Sequence, residues 1–223
     1  MIPWQQLDSA SVPGGRELRL WQRGTEFAIR LDGNELMNSR LFASEEALAT
    51  FACERLRGRA APAVLIGGLG MGFTLRAALA GLGPRARITV AELVPAVVGW
   101  ARGPLAALFC ASLDDPRVTV READVADLIG SGRGAWDAIL LDVDNGPEGL
   151  TATANDALYG PVGLGAAHAA LRPGGILAVW SSGPDPAFLR RLGRSGFAVE
   201  EKRVRAHRGR SGTRHVIWLG ARR

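Results

Sequence analysis

VLIGGLGMGF, residues 64–73, places Gly68, Gly70 and Gly72 at every second position directly after a run of β-formers. Such a run predicts a buried strand ending at Gly67, with a helix opening near Gly72. In open α/β sheets, ligands sit beyond the carboxyl ends of the strands, where strand order reverses. Glycine accepts positive φ and has no Cβ, so backbone can approach a ligand closely there. The three glycines are therefore read as a floor for a flat or extended small molecule, beside the unpaired N–H groups of a helix N-terminus. A dinucleotide fingerprint, G-x-G-x-x-G, would need its third glycine at position 73, which is Phe73.

Outward from this loop the chain alternates short apolar runs with helical segments. AVLIG leads into a helix over 72–82, RITVAE into 94–102, RVTVRE into 123–129, DAILLD into 160–171 and GILAVWS into 185–194. Five strand–helix units predict a parallel sheet covered on both faces. Two further strands, FAVEEKRVRAH and RHVIWLGA, follow with no helix between them and RGRSGT as their loop. A hairpin closing a parallel sheet resembles the S-adenosylmethionine-dependent methyltransferase-like fold. The expected class is thus α/β: a doubly wound, mostly parallel seven-stranded sheet with an antiparallel C-terminal hairpin.

Upstream, ELRLWQR (17–23) and TEFAIRL (25–31) alternate with period two, and DGN at 32–34 reads as a turn. SEEALATFACERL (44–56) follows a helical period with Ser44 as the expected N-cap. Residues 1–58 are read as a small β-meander closed by a helix, and 59–223 as the nucleoside-binding domain.

Acids fall at the predicted strand ends. Glu92 lies twenty residues beyond Gly72, where a carboxylate can accept both hydroxyls of a ribose. Asp124 follows the third strand; it is placed either to reach an adenine amino group or to cap the helix after it. Asp142 ends the buried run of the fourth strand, with Asp144 and Asn145 immediately behind. These three suit binding and deprotonating a cationic amine, although an Asx-rich turn would also use them. Residues 145–159 have no clean period and are read as a lid ending at Tyr159.

Composition narrows the classes. The chain has 223 residues, 47% hydrophobic and 22% charged, enough for one α/β domain with a real core. No apolar run approaches the roughly 20 residues a membrane span needs, so no membrane partner is expected. The N-terminal residues lack the pattern of a signal peptide. Cys53 and Cys110 have no metal-ligand or CxxC spacing, and the three histidines share none either. No metal and a cytoplasmic location are expected. Of the net +5, residues 190–223 hold eleven Arg or Lys against Glu200 and Glu201, a local balance of +9 that leaves −4 for the rest. This Arg-rich C-terminus keeps nucleic acid open as a partner.

Together, VLIGGLGMGFTLRAAL, AELVPAVV, READ, DAILLDVDNGPEG and LRPGGILAVWS resemble the spermidine synthases, the polyamine aminopropyltransferases, over roughly residues 17–195. The resemblance implies decarboxylated S-adenosylmethionine as co-substrate, a small-molecule amine as acceptor, ribose on Glu92, adenine near Asp124 and Asp142 as proton acceptor. Tyr159 matches a tyrosine that follows the family's catalytic loop. Departures accompany it: Met71 stands where the family has an aspartate, Asn145 where it has a second acid, Leu36 where it has a glutamine, and Glu45-Glu46 where it has Tyr-Gln. Methyl transfer from intact S-adenosylmethionine is therefore the alternative. So is a non-catalytic nucleoside- or nucleic-acid-binding protein. A homodimer is an open expectation.

Overall fold

The computed structural model describes residues 2–12, 14–143, 147, 157–206 and 213–223. It contains a four-stranded antiparallel meander and a seven-stranded, mostly parallel sheet ordered β10-β11-β9-β8-β5-β6-β7. The meander comprises β1 (Gln5–Ser11), β2 (Glu17–Arg23), β3 (Glu26–Leu31) and β4 (Asn34–Asn38). The predicted period-two alternation buries Leu18 and Leu20 on β2, with Phe27, Ile29 and Leu31 opposite on β3. Asp32 and Gly33 both have positive φ (48° and 88°) and Leu31 pairs with Asn34, so this is a two-residue hairpin. β1 was not legible: QQLDSAS is nearly all exposed and has no apolar face. It is held as an edge strand by β2, and the Trp100 indole N–H donates to Asp8 Oδ2 at 2.6 Å.

The large sheet is built from β5 (Ala63–Gly67), β6 (Arg87–Glu92), β7 (Val118–Glu122), β8 (Trp136–Leu141) and β9 (Leu171–Ser181). Its hairpin, β10 (Phe197–Arg205) and β11 (Arg214–Arg222), adds antiparallel to β9. Both faces are buried, which is why AVLIG reads as an unbroken apolar run. Val64, Ile66, Val90 and Leu140 face one core with α1 (Ala43–Arg55), α2 (Phe73–Gly81), α3 (Pro95–Arg102) and the meander. Leu65, Ile139, Leu141 and Val179 face the other, under α5 (Val125–Ser131), α6 (Pro161–Ala170) and α7 (Pro186–Arg194). A short α4 (Ala106–Phe109) lies between α3 and β7.

Helix α1 packs on α2 and crosses β8 to β11, so it roofs the large sheet as well as ending the meander. Its start corrects the expected N-cap. The cap position is Phe42, with no side-chain hydrogen bond, and the Phe42 ring stacks on Phe73 at 4.7 Å between centroids. That stack fixes the entry of the helix. Ser44 is thereby one residue inside it, fully buried.

Candidate functional site

The chain runs from β5 outward to β6 and β7, then returns to β8 on the other side of β5. Strand order reverses between β5 and β8, and the glycine loop leaves β5 there. Gly68 has φ +88°, and a Cβ on it would lie 2.4 Å from the carbonyl oxygen of Asp142. Gly72 has φ +78°, and a Cβ there would lie 2.4 Å from the Phe109 ring. Both positions require glycine twice over, by conformation and by space. The bare backbone thus lies against the exit of β8 and against α4. Glu92 fastens the loop: Oε2 accepts from Leu69 N at 2.9 Å and Oε1 from Val94 N at 2.8 Å. Burial pushes its carboxyl above the usual range, against those backbone donors.

Packed down in this way, Leu69 to Phe73 wrap a small pocket closed by Leu36 and Met37 of β4, Glu45 of α1, Asp142 and Trp180 of β9. Its volume is about 60 Å³. Roughly 10–15 Å³ of free volume of this kind holds one water, so the space suits a small head group.

Two acids meet there with little to neutralise them. Asp142 Oδ2 accepts from Thr74 Oγ1 at 2.5 Å, and Glu45 Oε2 accepts from Ser44 Oγ at 2.7 Å. Burial, and then the charge of Asp142, push Glu45 up to about 7; burial pushes Asp142 up to about 6, against the Thr74 bond. Two carboxyls in one low-dielectric pocket resist carrying two charges. Near neutrality Glu45 is part protonated, and a bound cation would favour its charged form.

No protein-family model and no curated protein sequence matches the chain. Solved structures do match. A spermidine synthase in complex with the transition-state analogue AdoDATO aligns with a TM-score of 0.75 at 19% identity, over 98% of this chain and 73% of that one. A spermidine synthase from Thermotoga maritima gives 0.76 at 20% over the same shares. A probable spermidine synthase from Corynebacterium glutamicum gives 0.62 at 17%, over 97% and 79%. The chain has a spermidine synthase-like fold.

Within this spermidine synthase-like fold, Gly70, Met71, Gly72 and Asp142 line one pocket. Gly68 seats the loop against Asp142 and Glu92 ties it to β6. Asp124 is the N-cap of α5, accepting from Ala126 N at 2.8 Å. Tyr159 is buried edge-on against Phe188 of α7, in the core on the opposite face from α1. It is not among the residues lining the acid pocket. Asp144 and Asn145, and most of the expected lid, lie outside the described residues.

Sequence reasoning passed over Glu45, Thr74 and Trp180. Glu45 carries one signal in the sequence, an acid where the family has a tyrosine. Among the described residues no group of three His, Cys, Asp or Glu is placed to hold a metal, and no helix is long and apolar enough to cross a membrane. In the Arg-rich hairpin, Lys202 pairs with Glu200 and Arg203 with Glu201 at 3.1 Å, so part of its charge is balanced locally. Arg208 and Arg210 lie outside the described residues.

Proposed function

We propose that the chain is a transferase that moves an aminopropyl group from decarboxylated S-adenosylmethionine to a small amine. The observation that carries this reading is the acid pair, Glu45 and Asp142, in one small pocket against the glycine loop. The residues suit such ligands. A buried acid pair gains the counter-charge it lacks when an ammonium enters. Glu92 stands at the end of β6 under the glycine loop, where a carboxylate can accept a ribose hydroxyl. The sulfonium supplies an activated carbon and a neutral thioether leaving group.

The protein's own residues do the rest. An alkylamine has a pKa near 10, as lysine does, so it arrives protonated. Asp142 and Glu45 hold that ammonium and take its proton, leaving the nitrogen lone pair free to attack. Leu36, Met37, Met71 and Trp180 form apolar walls that restrict water and fix the approach of the amine. Because the sulfonium is already activated, orientation supplies most of the rate. The paired acids also disfavour the carboxylate that distinguishes intact S-adenosylmethionine from its decarboxylated form. Asp144 and Asn145 remain candidates for acceptor contacts, and Asp124 for the adenine contact; Tyr159, buried on the other face of the sheet, is not one.

Calorimetry of decarboxylated S-adenosylmethionine, intact S-adenosylmethionine and methylthioadenosine, against wild type and Met71→Asp, tests the reading. Preferential binding of the decarboxylated form, with an aminopropylated amine detected by mass spectrometry, is expected. Preference for the intact form would replace it with methyl transfer. Binding of none of the three would remove the nucleoside site.

A further inference from the structure

Ser44 is fully buried on α1, and its hydroxyl touches two titratable groups. It lies 2.7 Å from Glu45 Oε2 and 2.9 Å from Nδ1 of His215, on β11. His215 is half-buried and stands edge-on to Trp180, with ring centroids 4.7 Å apart. Trp180 itself lines the acid pocket. The C-terminal hairpin therefore reaches the pocket by two routes, one through the indole and one through the serine.

The protons on this chain of contacts can be counted. A serine hydroxyl has one hydrogen to donate. When Glu45 is a carboxylate it can only accept, so Ser44 donates to it, and the His215 contact is then Nδ1–H donating to Ser44 Oγ. When Glu45 is protonated, its own O–H can donate to Ser44, which turns its hydrogen to a bare Nδ1. The two directions of the chain correspond to two tautomers of His215 and two charge states of Glu45. Burial lowers the pKa of His215, which keeps the ring neutral and the two tautomers available.

We propose that His215, acting through Ser44, is a positioning residue that sets the ionisation of the pocket acid Glu45. Its Nδ1–H tautomer aims the serine hydrogen at the carboxylate and favours the charged form that an ammonium requires. The other groups bearing on Glu45 are Asp142, which opposes its ionisation by like charge, and Glu46 on α1, which opposes it more weakly. Thr74 bonds Asp142, so its help to Glu45 is indirect. The inference rests on the reading of Glu45 as a cation-binding acid, but its test needs no ligand.

Carbon-13 carboxyl shifts of Glu45 and nitrogen-15 ring shifts of His215 are followed by NMR against pH in the full-length protein. In wild type, His215 is expected to change from the Nε2–H to the Nδ1–H tautomer as Glu45 loses its proton. In Ser44→Ala the Glu45 midpoint is expected to rise by roughly 0.5 to 1 pH unit, and in His215→Phe, which removes the ring nitrogens while keeping a ring against Trp180, it is expected to move away from the wild-type value. His215→Asn, whose amide N–H stands near the Nδ1 position, should bring it back. A purely structural role would alter melting temperature and leave these midpoints in place. An unchanged Glu45 midpoint in His215→Phe overturns the proposal, whether or not Ser44→Ala moves it. Propylamine binding to wild type is measured in parallel. If the midpoints move and propylamine does not bind, the positioning role stands and the proposed function falls.

Discussion

Two aspartates bracket β8, and the molecule treats them in opposite ways. Asp137, near the amino end of the strand, is 2% exposed and fully partnered. Arg59 and Arg172 both pair with it, the latter at 2.7 Å, and Ala63 N donates to Oδ2 at 2.7 Å. That cluster joins the segment after α1 to the starts of β5 and β9. Asp142, just past the carboxyl end, has Thr74 and a second acid. The same side chain is a fastener near one end of the strand and an under-neutralised group just past the other. Burying a charge beside another of its own sign works against folding, so an arrangement of this kind points to a ligand that supplies the missing charge.

Substitutions at the two ends should separate these roles. Asp142→Asn is expected to slow aminopropyl transfer by about 10²- to 10⁴-fold, as loss of a proton acceptor does, while leaving the melting temperature at pH 8 no lower than wild type. Asp137→Ala should do the reverse. It removes the acceptor shared by Arg59, Arg172 and the buried Ala63 N–H and should lower unfolding free energy by about 2 kcal/mol in a urea titration, with ligand affinity retained by whatever remains folded. Equal loss of stability in both variants would abolish the contrast.

Gly72→Ala comes next. It forces a Cβ into the left-handed region and against Phe109, at an expected cost of about 2 kcal/mol by the same titration. The pH dependence of stability sharpens the comparison further. Glu45 and Asp142 are raised from 4.5 and 3.8 to about 7 and about 6, so the folded chain keeps protons that the unfolded chain has lost. Their contribution to stability is complete below about pH 4 and is lost as pH rises through 6 to 7. Between pH 5 and 8 the pair should remove about 4 kcal/mol, measured as a falling unfolding free energy. The double variant Glu45→Gln, Asp142→Asn should flatten that slope, and propylamine at pH 8 should recover part of it in wild type. The smallest effect is expected at Asp124→Ala, about 1 kcal/mol for a lost helix cap. A concurrent fall in affinity for methylthioadenosine would add an adenine contact to the capping role.

The layered sheet was legible because its causes are local. Unbroken apolar runs such as AVLIG belong to strands covered on both faces, and the helical periods between them impose the parallel connections. Glu92 and Asp142 were legible for the same reason, since each ends a run whose direction is already known. Ser44 misled because a serine before an apolar helical period ordinarily caps it, whereas the Phe42–Phe73 stack starts the helix earlier and turns the hydroxyl inward. β1 left no trace because an exposed edge strand needs no apolar alternation.

The amino-acid order by itself determined the seven-stranded α/β architecture, the glycine loop and which acids stand at strand ends, because backbone periodicity and the demands of glycine act over a few neighbouring residues. Only the tertiary structure decided that Glu45 faces Asp142, that Tyr159 lies in the core on the other side of the sheet, and that His215 reaches the pocket through Ser44. Those meetings join segments distant along the chain, and the packing of α1 over the sheet creates them. No local pattern records a charge that becomes under-neutralised only when two such segments close on each other.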